Sequence, residues 1–349
     1  MRASAHRIEA RMRVLVTGAT GFIGSHVARA LIAGGATLRV VHRPDSPTEL
    51  IDDLPADHAL GDILDPASLA AACDGIEAVV HCAAQMRGRG SPADRLESHV
   101  LGTRNMLAAA AGAGVRRFVY TSSVAALGIP PRPPAETAAP APLDESHTWR
   151  GDPALWPYGY AKHQAEQWVR QAAHEGLGAL TVNPALVIGP GDRNRVSNIL
   201  IWQILRGRVP PLIPGGLNVV AVEDVAAGTL AALAQGRAGE RYILCGENRT
   251  LADIIRTTAR LIGRAQPRLR LSLRTTRALA ALAAAAVRLL RLPISPELLE
   301  QAGVYFYYSG EKARRELALG PPRPYEPAAL ASAEWYRRRL SRQNSPGPL

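Results

Sequence analysis

The chain has 349 residues, 47% apolar and 20% charged, enough for one large or two smaller domains with a sizeable core; wholesale disorder, a small disulfide-stapled module and a polytopic membrane protein are excluded. Its three cysteines, Cys73, Cys82 and Cys245, lie far apart without metal-ligand spacing, so no metal site is expected and a reducing, cytoplasmic compartment is. The formal charge of +11 is almost all arginine, Lys162 and Lys312 being the two lysines; with 5% aromatics and arginines that read as scattered, it suggests an anionic cofactor or substrate and no nucleic acid.

The first eleven residues lack the apolar stretch of a secretory signal and read as a flexible extension. Arg13 to Thr17 (RVLVT) is a β-branched run ended by glycine, and Phe22, Ile23, Val27, Leu31 and Ile32 then recur at helical spacing: strand, turn, helix. Gly18, Gly21 and Gly24 of TGATGFIG fall at that junction, where a missing Cβ lets the backbone approach a pyrophosphate and the helix N-terminus supplies N–H groups. Thr20, Phe22 and Ile23 belong to the same cofactor-binding turn. The next strand, Leu38 to His42, ends in His42 and Arg43, not in the acid that would accept the adenosine ribose hydroxyls. Arg43, with Arg39 nearby, favours the 2′-phosphate of NADP over NAD.

Asp62 and Ile63, after a third strand, are candidates for the adenine edge and face; Ala83, Ala84 and Gln85 close the strand Glu77 to Cys82, where a cofactor lies against backbone. Arg117 to Thr121 is a further strand and leads to Ser122 and Ser123, either of which could orient a substrate oxygen or merely cap the loop. Strands alternating with alanine-rich helical stretches imply an α/β fold, a Rossmann doubly wound parallel sheet. From Gly128 to Pro157 eight prolines break the pattern, which reads as a functional loop.

Tyr158 and Lys162 of YGYAK then stand four apart, on one face of a helix expected from Tyr158 to His174. A phenol with a pKa near 10 needs about a 3-unit drop to act as base near neutrality, and a lysine ammonium with an oxidised nicotinamide could supply it. Tyr160 has no such partner, because position 164 is Gln164. Ala179 to Val187 returns to strand character, and past GPGD the alternation weakens into a smaller C-terminal α/β substrate lobe. There Arg193, Arg195, Arg206 and Arg208 would suit a nucleotide diphosphate or simply line a solvated loop. A basic helix is expected from about 268 to 292; its uncharged run, Ala278 to Val287, is half a membrane span, so it reads as a packed lobe helix, with peripheral membrane contact the less favoured alternative. The expected division is an extension at 1–11, a dinucleotide-binding domain at 12–182 partly rejoined by 219–246, a lobe from 183–218 and 247–342, and a disordered tail at 343–349.

Together these residues resemble the extended short-chain dehydrogenase/reductase superfamily, also called the NAD-dependent epimerase/dehydratase family, over nearly the whole chain. VVHRPDS, GDILDPASL, YTSSVAALG, GLNVVAVEDVAAG, RYILCGENRTL and YYSGEKARRELALGPPRP look most like its hopanoid-associated sugar epimerase and dihydroflavonol reductase-like branch. The resemblance implies a catalytic triad of Ser123, Tyr158 and Lys162, hydride exchange at nicotinamide C4, a loop at Asn183 and Pro184 between cofactor and substrate pockets, and a homodimer through helices near 93–112 and 158–174, a monomer being the alternative. Two departures stand out. His99 replaces the asparagine of the family's proton relay, and TSSVAA lacks the acidic pair of sugar-nucleotide dehydratases, which disfavours dehydration. The leading expectation is an NAD(P)-dependent oxidoreductase acting on a carbonyl or hydroxyl. A nucleotide-sugar or hopanoid-linked epimerase and a non-catalytic NADP-binding sensor are the alternatives, the last disfavoured by the Tyr/Lys pair.

Overall fold

The computed structural model describes residues 11–84, 92–131, 140–150, 152–290 and 303–344. The expectations at Gln85, for residues 1–10 and for the tail at 345–349 lie outside them. Seven strands form one parallel sheet: β1 (Arg13–Thr17), β2 (Thr37–His42), β3 (Ala56–Leu60), β4 (Ala78–His81), β5 (Arg117–Thr121), β6 (Gly178–Pro184) and, later in the chain, Arg241–Leu244. Most are short β-branched or apolar runs buried along their length, as a sheet covered on both faces requires. The order is β3-β2-β1-β4-β5-β6 and then the strand Arg241–Leu244, so the direction of winding reverses between β1 and β4 and opens a crevice at their carboxyl ends.

One face of the sheet is covered by α1 (Phe22–Ala33) and by the helix Val222–Gln235, whose Val225, Leu230 and Leu233 join Val27, Ala28 and Leu31 over Val14 and Val16. The other face carries α2 (Pro66–Ala72), α3 (Pro92–Gly112) and α4 (Pro157–His174), with Leu69, Met106, Ala165 and Val169 over Leu15, Val79 and Phe118. Pro157 stands at the first turn of α4, where its missing N–H costs nothing, and so fixes where the helix that carries Tyr158 begins.

The strand expected over Ala179 to Val187 is two strands in two sheets. Pro184 ends β6 and the Ala185 N–H donates to the Leu244 carbonyl (3.0 Å); β7 (Leu186–Ile188) then pairs with β8 (Gly216–Ala221) in a second sheet. Further helices and strands are α5 (Ile199–Leu205), α6 (Val222–Gln235), β9 (Arg241–Leu244), β10 (Glu247–Thr250), α7 (Leu251–Ile262), α8 (Leu273–Leu290), β11 (Tyr305–Phe306), α9 (Glu311–Glu316) and α10 (Tyr325–Asn344). β8 also pairs antiparallel with β10 and parallel with β11. A third apolar cluster holds this part together, with Ile201, Ile204, Ile255, Ala329 and Tyr336 fully or almost fully buried. α8 starts later than expected, because Ser272 accepts the Thr275 N–H (3.1 Å) as an N-cap and the backbone before it pairs with Leu212.

Candidate active site

The crevice begins at the glycine turn between β1 and α1. Gly18 has φ +71°, and a Cβ there would sit 2.7 Å from the Ala83 backbone nitrogen; one on Gly24 would meet the Gly18 carbonyl oxygen at 2.1 Å. Only glycine fits either place. Gly21 is the N-cap of α1 and offers no side chain, the first turn carries no acid, and the backbone of Cys82 and Ala83 lies against Gly18. This cradle fits a dinucleotide pyrophosphate: close backbone approach, donors without a competing cap, and no carboxylate to repel it.

At the carboxyl end of β2, His42 Nε2 lies 3.1 Å from Nδ1 of His58 in β3, and the half-exposed Arg43 pairs with Asp45 at 3.4 Å. Arg39 is not available to a phosphate. Its guanidinium is held by Asp57 (2.6 Å) and the carbonyls of Ala72 and Asp74, which corrects the expectation that it lies ready beside Arg43. Asp62 turns one carboxylate oxygen to the Leu64 N–H, while Ile63 packs on Gly102 of α3 so tightly that a Cβ there would lie 2.6 Å from its Cδ1. Arg193 is spent as well: it binds the Thr20 carbonyl (2.7 Å), the Pro47 carbonyl (3.2 Å) and Glu49 (3.2 Å), tying the glycine turn to the loop after β2. Arg195 and Arg206 lie over Trp202. None of these three points to a free diphosphate site.

At the other end, Tyr158 and Lys162 sit one turn apart on α4 as the spacing requires. Ser123 and Tyr158 share a side-chain hydrogen bond, and the Ser123 oxygen also accepts the Ala125 N–H at 3.2 Å. The Ser122 hydroxyl donates to Glu166 at 2.6 Å, so its proton is not available to a substrate oxygen. The Lys162 ammonium is buried, donates to the Thr121 carbonyl (3.1 Å) and lies 4.8 Å from the centre of the Tyr120 ring. Burial lowers its pKa to about 8 despite the nearby Glu166. Burial also pushes Tyr158 up to about 12, against the Ser123 hydrogen bond. The expected acidified phenol is therefore not produced by the protein's own groups, since desolvation outweighs them.

Two participants escaped the sequence reading. Glu166, one further turn along α4, is buried and accepts from Ser122 and from the Asn183 amide, each at 2.6 Å; that amide's other hydrogen goes to the Ser123 carbonyl at 2.9 Å. Its second oxygen lies 3.5 Å from Arg241. One carboxylate thus fixes the serine segment and the end of β6 to the helix of Tyr158 and Lys162, Asn183 and Pro184 being the last paired residues of that strand and not the loop expected there; the signal was the repeated four-residue spacing 158, 162, 166. His81, at the end of β4, is the second. Thr17 donates to its Nδ1 (2.7 Å), and Nε2–H donates to Thr103 (3.3 Å), which donates to the His99 carbonyl (2.7 Å), a tautomer assigned from these directions. Burial drives its pKa down to about 3, so it stays neutral. The His99 ring itself meets Tyr158 edge-on at 5.9 Å, so position 99 remains beside the phenol although the asparagine is missing.

The chain is similar along its length to proteins of known name. It is 33% identical over 344 residues to sterol demethylase protein B of Methylococcus capsulatus, covering 94% of this chain and 99% of the relative. It is 33% identical over 330 residues to a putative dihydroflavonol 4-reductase of Synechocystis, covering 92% and 94%. Among solved structures, a nucleoside-diphosphate-sugar epimerase from Pseudomonas aeruginosa superposes with TM-score 0.78 at 28% identity, covering 95% of this chain and 99% of that one. The model of the NAD dependent epimerase/dehydratase family matches residues 14–245, from β1 to the end of β9. A glycine cradle on a reversing parallel sheet, a Tyr/Lys helix beside it and likeness over the full length agree: the chain is an enzyme of the NAD-dependent epimerase/dehydratase family, in the extended short-chain dehydrogenase/reductase superfamily.

Proposed function

We propose that the protein is an NADP-dependent reductase that converts a substrate carbonyl to a hydroxyl, with Tyr158 as proton donor, Ser123 as the group that orients the oxygen, and Lys162 as the cation beneath both. The bound dinucleotide supplies the hydride, or accepts it in reverse. Tyr158 gives its proton to the oxygen as negative charge builds there, and Ser123 donates a second hydrogen bond to the same atom. The observation that carries this reading is the hydrogen-bonded Ser123–Tyr158 pair with Lys162 one helical turn along α4. In reduction the protonated phenol donates to the developing alkoxide, and in the reverse direction the same group takes the proton back.

Epimerisation loses the support of Arg193, Arg195 and Arg206, which are engaged elsewhere. Sequence likeness to a protein named as a reductase supports the reading, and Arg43, with no acid at the end of β2, supports NADP over NAD. Gly18, Thr20, Gly21, Phe22, Ile23, Gly24, His42, Arg43, Asp62, Ile63, Ala83, Ala84, Asn183 and Pro184 are the residues proposed to line the cofactor. The second sheet with α5, α7 and α10 is the proposed substrate lobe. Leu101 of α3 and Trp168 of α4 are exposed on adjacent helices, the proposed homodimer face; a monomer by light scattering would remove that proposal.

A panel of ketones and aldehydes tests the reaction. Added NADPH should be consumed in proportion to alcohol formed, and Tyr158→Phe should lower kcat by about 10²–10⁴-fold with NADPH affinity retained. Full activity in that variant would falsify the assignment. Catalytic turnover without added NADPH, with cofactor released only on denaturation, would instead establish an epimerase.

A further inference from the structure

The positive charge of the chain is concentrated. Residues 254 to 290 hold eight arginines and no aspartate or glutamate, so the other 33 basic residues nearly balance all 30 acids; the scattered reading of the arginines is corrected here. This stretch contains α8, and α8 is two-faced. Thr276 and Ala284 are buried beneath it, while Ala278, Leu279, Leu282 and Ala285 turn outward at helical spacing. Leu279 is 50% exposed and Leu282 68%, and Leu269, just before the helix, is 62% exposed. Arg268, Arg270 and Arg274 are exposed at the same end.

We propose that the outward face of α8 docks the enzyme on an anionic lipid bilayer, its leucines entering the outer acyl region and Arg268, Arg270 and Arg274 meeting headgroup phosphates. Three observations choose this occupant. Leu279 and Leu282 lie on the same side of α8 as Arg274 by helical spacing, with Arg268 and Arg270 exposed just before the helix, which matches the layered chemistry of a bilayer interface, whereas a nucleic acid backbone offers nothing to the leucines. A second copy of the chain would bring one acid-free arginine cluster against another. No helix among the described residues is long and apolar enough to cross a membrane, and the uncharged run Ala278 to Val287 fits a helix lying in the interface plane. The inference stands apart from the reductase reading, since docking needs no turnover.

The test is co-sedimentation of the full chain with vesicles of phosphatidylcholine containing about one third phosphatidylglycerol, against phosphatidylcholine alone. The protein should pellet with the anionic vesicles, weakly or not at all with the neutral ones, and less as salt rises. Leu279→Ser with Leu282→Ser should weaken binding about tenfold or more, and Arg268→Gln with Arg270→Gln and Arg274→Gln at least as much at low salt. All five positions are exposed, so thermal melting and vesicle-free turnover should stay at wild-type values. Protein left in the supernatant, equal binding to both vesicle types, or indifference to both sets of substitutions overturns the proposal; so does self-association that the leucine pair abolishes in protein that binds no vesicles.

Discussion

The two ends of the crevice are built on opposite terms. Around Tyr158 and Lys162 the polar groups are buried and hold one another: Glu166 binds Ser122 and Asn183, Asn183 binds the Ser123 carbonyl, and His81 ties β1 to α3. Around His42 and Arg43 they are exposed or half-exposed and held by few contacts, Arg43 to Asp45, and His42 to His58 and the Arg43 carbonyl. Low dielectric makes every buried interaction strong and every loss costly, while water at the exposed end weakens each contact and leaves it free to change partners. The buried end should therefore set rate and pH dependence, and the exposed end should set only which dinucleotide is preferred.

The largest effect expected is at Lys162. Its protonated fraction falls as pH rises through about 8, so turnover should be level below pH 7 and fall above 8. Lys162→Met should lose about 10²-fold or more in kcat and the alkaline fall with it; an unchanged profile in that variant would break the link between this ammonium and the rate. At Glu166 the carboxylate favours the charged lysine, so Glu166→Gln should move the alkaline fall to lower pH and cost about tenfold in kcat. Glu166→Ala leaves the Ser122 hydroxyl and the Asn183 amide without their buried acceptor and should cost about 3 kcal/mol in denaturant unfolding.

At the exposed end, Arg43→Ala should raise the KM for NADPH by about tenfold and leave that for NADH unchanged. Equal loss with both dinucleotides would erase the distinction between the two ends. The smallest effect is expected of Arg39→Ala, whose guanidinium serves Asp57 and two carbonyls: about 1 kcal/mol of stability and no change in the NADPH to NADH ratio.

What could be read from sequence was local. β1 and β5 have the expected ends, because a β-branched run stopped by glycine or serine depends on few distant contacts. The glycine turn was legible because Gly18 and Gly24 each answer a backbone approach that a Cβ would block, and Tyr158 and Lys162 because one helical turn brings them together. The strand at Ala179 to Val187 was misread as single, since an apolar run does not announce which of two sheets will take it. The free or engaged state of Arg39 and Arg193 was equally hidden: each is held by residues from 18 to 173 positions away.

Residue order alone determined the alternation of strands and helices, the place of the glycine turn and the spacing of the phenol and ammonium, since each is marked by a pattern of neighbouring residues in the chain. Tertiary structure decided that the Ser122 hydroxyl is taken up by Glu166, that Glu166 holds the serine segment to α4, and that burial lowers the pKa of His81 and raises that of Tyr158. These depend on how much water the packed elements exclude and on which distant groups meet inside, and desolvation becomes a property of a side chain only when the fold closes around it.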